Sequence, residues 1–131
     1  LLLINQALPN MPIWVVTRKP QHVERLANVK NIWVHFSLDR ASMARREKVL
    51  SLFTAQPTNL FFSYQADKNE LLETVPADIS VVFFDGYKIQ GNEAFNDHPA
   101  LCPLNEQEDI SRTCSTCRRC FNGAALEVRY G

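Results

Sequence analysis

Ile32-Trp33-Val34-His35-Phe36 is the stretch on which the fold turns. It is apolar from end to end, rich in β-branched and aromatic residues, and does not alternate with polar positions. Such a run suits a strand covered on both faces, as in a parallel sheet. Three more runs share its character: Ile13-Trp14-Val15-Val16 upstream, and Leu60-Phe61-Phe62 and Val81-Val82-Phe83-Phe84 downstream. They are separated by about 20–30 residues, the spacing of βαβ units.

The intervening segments read as helices. Pro20 stands where a first helical residue belongs, and Val23, Leu26 and Ala27 share one face. Ser42 to Thr54 is the clearest helix, with an apolar stripe of Met43, Leu50 and Phe53, and with Arg45, Arg46, Glu47 and Lys48 expected in solvent. Asp67 with Glu70 resembles a capping pair opening a short helix through Leu71 and Leu72 that Pro76 ends. Leu1 to Leu8 read as the last turns of an amphipathic helix that lacks a start signal, so the chain is expected to be the C-terminal part of a longer protein. The fold class is therefore α/β: about four parallel strands, forming either an open sheet or part of a (β/α) barrel. A closed eight-stranded barrel needs roughly 200 residues or more. Residues 1–88 form the sheet unit and residues 89–131 an irregular tail, marked by Gly91, Asn92, Asn96, Asp97 and Pro99.

The 131 residues fit one domain, and fourteen basic residues balance fourteen acidic ones. No general pull toward nucleic acid or an anionic membrane follows from that balance. No apolar run approaches the roughly 18–20 residues that span a bilayer. The apolar Leu1-Leu2-Leu3-Ile4 lacks the basic flank and length of a signal peptide. A reducing cytoplasm is the expected compartment, where clustered cysteines read as metal ligands before disulfides.

All four cysteines lie in the tail. Cys114-Ser-Thr-Cys117-Arg-Arg-Cys120 is a C-x2-C-x2-C run, and Cys102, followed by Pro103, lies upstream. A cubane [4Fe-4S] cluster takes one thiolate per iron corner, three from a tight run and the fourth from a remote Cys-Pro. Here the remote cysteine precedes the run. Zinc is the rival, because four thiolates also make a tetrahedral Zn2+ site, although structural zinc sites more often use two separated pairs. Arg112, Arg118 and Arg119 surround the run. They could stabilise a negatively charged cluster, contact a nucleic-acid phosphate, or form a solvated basic loop. His98 reads as an ordinary loop histidine beside a complete set of thiolates.

Ligands of parallel α/β folds sit beyond the carboxyl ends of the strands. That rule selects Thr17-Arg18, Ser37 with Asp39, Tyr64-Gln65 and Asp85-Gly86-Tyr87. Arg18 could hold a carboxylate or phosphate, and Asp39 or Asp85 a hydroxyl or a proton. Alternatively, Asp39 caps the next helix and Asp85-Gly86 is a turn. His35, inside an apolar strand, is expected to be a hydrogen-bonded core histidine. No Gly-rich phosphate loop, Walker sequence, G-x-S-x-G elbow or H-E-x-x-H is present.

Ile13-Trp14-Val15-Val16-Thr17-Arg18-Lys19-Pro20, Trp33-Val34-His35-Phe36-Ser37-Leu38-Asp39, and a closing Cys-Pro with Cys-x2-Cys-x2-Cys-Phe resemble the phage and plasmid family of radical-SAM-like proteins known as the gene product 88 type, over roughly Leu8 to Phe121. The resemblance implies a partial (β/α) barrel with an iron–sulfur cluster in a bacterial host cell, possible S-adenosylmethionine chemistry, and Arg18, Ser37 and Asp39 facing the ligand end. One departure matters. Radical-SAM enzymes hold their cofactor on a C-x3-C-x2-C loop, which this sequence lacks; if the protein has one, it lies before Leu1. A cluster saturated by Cys102, Cys114, Cys117 and Cys120 leaves no iron for S-adenosylmethionine, so the resemblance implies an auxiliary, structural or electron-transferring cluster. The contrasting expectation is a zinc-stabilised interaction module without catalytic activity, binding nucleic acid through Arg112, Arg118 and Arg119 or binding a protein. Substrate and reaction are not legible, and a closed barrel would need the missing sequence or another subunit.

Overall fold

A computed structural model describes residues 1–67, 75–84 and Cys120. In chain order the elements are helix α1 (Leu2–Ala7), strand β1 (Ile13–Thr17), helix α2 (Pro20–Leu26), strand β2 (Ile32–Leu38), a 3-10 turn (Arg40–Ser42), helix α3 (Arg45–Leu50), strand β3 (Leu60–Ala66) and strand β4 (Val81–Phe84). The four strands form one sheet in the order β1-β2-β3-β4, and every pairing is parallel. Among the described strands the order never doubles back.

Each apolar run identified from sequence lies in a strand, and the two central ones are covered on both faces. In β2 all residues but Trp33 are buried, and in β3 all but Phe61 and Gln65. One face carries Ile32, Val34, Phe36 and Leu38 beside Leu60, Phe62, Tyr64 and Ala66. Val23 and Leu26 of α2 and Val49 of α3 complete that core, so both helices cover the same face. Burial of these side chains, at about 1.5–3 kcal/mol each, is the main force holding the layers together. β1 is less covered, with Val16 exposed at 43%.

The helices begin where local chemistry permits. Pro20 is the first residue of α2, where its missing N–H costs nothing. The chain leaves α2 through Asn28, at φ 59°, and re-enters β2 after Asn31, at φ 64°. Asparagine tolerates this left-handed region better than other residues with a Cβ. The expected long helix from Ser42 to Thr54 is shorter and preceded by the 3-10 turn. Asp39 and Ser42 form a reciprocal capping box there, which closes the turn before α3 starts.

Two expectations along α3 change. Val49, not Leu50, is its fully buried residue. Arg46 is not a solvated surface charge. Its side chain is 25% exposed, pairs with Asp78 and with Glu47, and lies over the Phe62 ring with Cζ 5.3 Å from the centroid. The apolar ring and the Asp78 carboxylate together draw the guanidinium inward.

At the amino ends of the strands, Asn59 and Asn28 knit two loops together. Asn59 Nδ2 donates to the carbonyls of Leu26 at 2.8 Å and Ile32 at 2.9 Å, with Val29 at 3.3 Å. Its Oδ1 accepts from the Asn28 backbone at 2.7 Å, while Asn28 Oδ1 accepts from the Thr58 backbone at 3.1 Å. Backbone groups that no strand can pair are satisfied by these two amides.

Candidate functional site

At the carboxyl ends of β1 and β2, Arg18 and Asp39 meet. Arg18 Nη1 donates to Asp39 Oδ2 at 2.7 Å. The other carboxylate oxygen accepts from the Ser42 backbone at 2.8 Å. The Arg18 hydrogen bond, and then those from Ser42, hold the Asp39 carboxyl below the usual carboxylate range. Asp39 is thus ionised at neutral pH with both oxygens engaged, an arrangement suited to capping and to holding Arg18 rather than to accepting a proton. Beside it, Thr17 Oγ1 accepts from the Lys19 backbone and lies 3.0 Å from His22 Nδ1.

Ser37, the third strand-end candidate, belongs to the opposite sheet face from the aliphatic core. Side chains alternate along a strand, so Ser37 shares a face with His35. The register sets Ser37 beside Ser63 and His35 beside Phe61. His35, Ser37 and Ser63 are all buried, forming a polar row across β2 and β3. Of the three strand-end candidates the structure therefore joins Arg18 with Asp39 and sets Ser37 in this row.

His35 is the centre of the row. Trp14 approaches it edge-on with ring centroids 6.3 Å apart, and Phe61 lies 5.6 Å away on the other side. Its Nε2 is 2.6 Å from the backbone carbonyl oxygen of Cys120. A carbonyl can only accept, so Nε2 carries the proton and donates it. Burial holds the His35 pKa below its ordinary value, against the opposing pull of the Cys120 bond, so the ring is neutral at pH 7. A neutral ring protonated at Nε2 presents a lone pair at Nδ1, which has no hydrogen-bond partner among the described residues; the same holds for Ser63 Oγ. The expected core histidine is thus present, and its partner is a residue of the cysteine run.

Cys120 is helical and half-buried. The other members of the expected metal set, Cys102, Cys114 and Cys117, lie outside the described residues, as do Asp85, His98, Arg112, Arg118, Arg119 and the helix expected after Asp67. Among the described residues no group of three potential metal ligands assembles. No described helix is long and apolar enough to cross a membrane. A cavity of ≈ 380 Å³ lies between α1, α2 and β1, lined mainly by Leu2, Val15, His22 and Leu26. His22 and Arg25 are the polar residues of its otherwise apolar lining.

Sequence reasoning missed the Arg18–Asp39 pair and the Asn28–Asn59 knot. An asparagine directly after a helix is a recognisable signal for the first residue of that knot. Nothing in sequence ties His35 to Cys120, since the two are 85 positions apart. Compared with known proteins, the chain has no match among family models, curated proteins or solved structures.

Proposed function

We propose that this chain is the iron–sulfur-binding C-terminal part of a radical-SAM-like protein of a phage or other mobile element, with Cys102, Cys114, Cys117 and Cys120 holding a [4Fe-4S] cluster whose role is structural or electron-transferring. The observation that carries the reading is the cysteine spacing: a C-x2-C-x2-C run plus one remote Cys-Pro supplies four thiolates. Four soft, anionic donors fit such a cluster, and Arg112, Arg118 and Arg119 would offset its negative charge. When bound, the cluster supplies one-electron chemistry or a cross-link for the tail. The contact between Cys120 and His35 supports a last cysteine seated against the sheet. The uninterrupted order of four parallel strands, with α2 and α3 on one face, supports a segment of a (β/α) barrel over a doubly wound sheet, whose order reverses at a switch point. In such a segment Arg18, Ser37 and Asp39 stand at the ligand end.

Anaerobic purification followed by an absorption spectrum and metal analysis tests the reading. A brown protein with a broad visible band and about four irons per chain is the expected result. A colourless protein with about one zinc overturns it and leaves an interaction module stabilised by Zn2+. In that event, nucleic-acid binding that weakens with salt would identify the partner of Arg112, Arg118 and Arg119.

A further inference from the structure

We propose that His35 is the positioning residue of the C-terminal metal centre, acting through the backbone of Cys120. The inference rests on the reading that the four cysteines hold a metal, and it names the residue of the sheet that fixes their site. Three observations carry it. The His35 ring is fully buried in the middle of β2, a strand paired along both edges, so its own position is set by packing on both sides. Trp14 and Phe61 hold the ring from adjacent strands and leave it little rotational freedom. From that fixed ring, Nε2–H reaches the Cys120 carbonyl at 2.6 Å. The other hydrogen bonds of the described core between distant elements run to residues at most 33 positions away, as in the Asn59 knot. This one ties the last cysteine of the run to an element laid down 85 positions earlier.

Because the bond goes to the main chain, it constrains the cysteine's backbone and does not itself use the sulfur. Groups that orient a metal ligand without touching the metal typically change affinity about 10–100-fold when removed. In a strand as deeply buried as β2, a histidine is also a costly choice unless its polar atoms have work to do. A purely structural filler of the same volume would pack there without a hydrogen bond.

The test uses the full chain, purified anaerobically with its metal, and follows metal release to an excess of chelator. Variants H35M and H35Q are compared with V34A. Methionine keeps apolar volume but cannot donate, and glutamine offers an amide N–H. Val34 lies on the opposite sheet face, so V34A weakens the core without touching Cys120. The expected result is release about tenfold faster or more in H35M, substantial rescue in H35Q, and release in V34A close to wild type once matched for thermal stability. Equal release from H35M and V34A overturns the inference. So does an H35M chain that fails to fold while H35Q folds without retaining metal, because His35 then serves the sheet alone. A wild-type chain that purifies without metal removes the reading beneath it, an outcome distinct from a loaded wild type indifferent to position 35.

Discussion

Replacing Asn59 by alanine should cost this small sheet a large share of its stability. The side-chain amide has two N–H groups for three nearby carbonyls, so the 3.3 Å contact to Val29 adds little to the bonds with Leu26 and Ile32. With the bond accepted from Asn28, three effective hydrogen bonds are lost. At about 1 kcal/mol each they give about 3 kcal/mol, and more where the buried carbonyls of Leu26 and Ile32 stay beyond the reach of water. Domains of this size are stable by only about 5–15 kcal/mol. Urea unfolding of the wild type and N59A, followed by far-UV circular dichroism and by the fluorescence of Trp14 and Trp33, measures the difference. N59D sharpens the test, because a carboxylate turned toward carbonyls is repelled where the amide was attracted. Its pKa in the folded state must rise. The added cost of N59D should therefore be small below the unfolded value of about 3.9 and grow as pH climbs through the raised folded value. A loss below about 1 kcal/mol in N59A with an unchanged urea slope would refute the accounting, as would a pH-independent N59D.

The Arg18–Asp39 pair has the opposite pH signature. A depressed folded pKa means its stabilisation is complete above the unfolded value of about 3.9 and is lost as pH falls through the lower folded value. D39N should therefore cost up to about 1 kcal/mol at neutral pH, given a half-exposed arginine, and the gap to wild type should close in acid; a gap that is constant from pH 7 to 2 would exclude the ion pair as its cause. For the metal centre, C117S should lose nearly all bound metal while the amides of β2 and β3 keep their protection from hydrogen exchange, measured on the same sample. Full metal content in C117S would remove Cys117 from the ligand set.

The fold was legible where hydrophobicity alone decides it. Ile13 to Val16 and Val81 to Phe84 are nearly or fully coextensive with β1 and β4. The runs at Ile32 and Leu60 stop short of the observed strand ends because Ser37, Ser63 and Gln65 are held by ladder pairing to neighbouring strands, which composition does not reveal. The helix expected over Ser42 to Thr54 exceeds α3 for a similar reason. Apolar periodicity through Met43, Leu50 and Phe53 does not register a capping box that first closes a 3-10 turn. Arg46 reads as solvated from sequence because its partners, Asp78 and the Phe62 ring, lie far along the chain. At the candidate site, residue types were readable and partners were not. Cys120 announces itself by spacing and His35 by its incongruous setting, but their meeting depends on tertiary closure.

That closure also orders events in time. A chain made from its amino end presents β1, β2 and β3 well before residue 120 exists. Until Cys120 arrives, the imidazole Nε2 in the middle of β2 lacks the carbonyl it donates to. Bringing together groups 85 positions apart costs about 0.9 kcal/mol more chain entropy than the 31-position closure of the Asn28–Asn59 knot. The asparagine knot is therefore the early fastening of this molecule and the histidine contact the late one. The seating of the last cysteine on the sheet therefore belongs to the final stage of maturation.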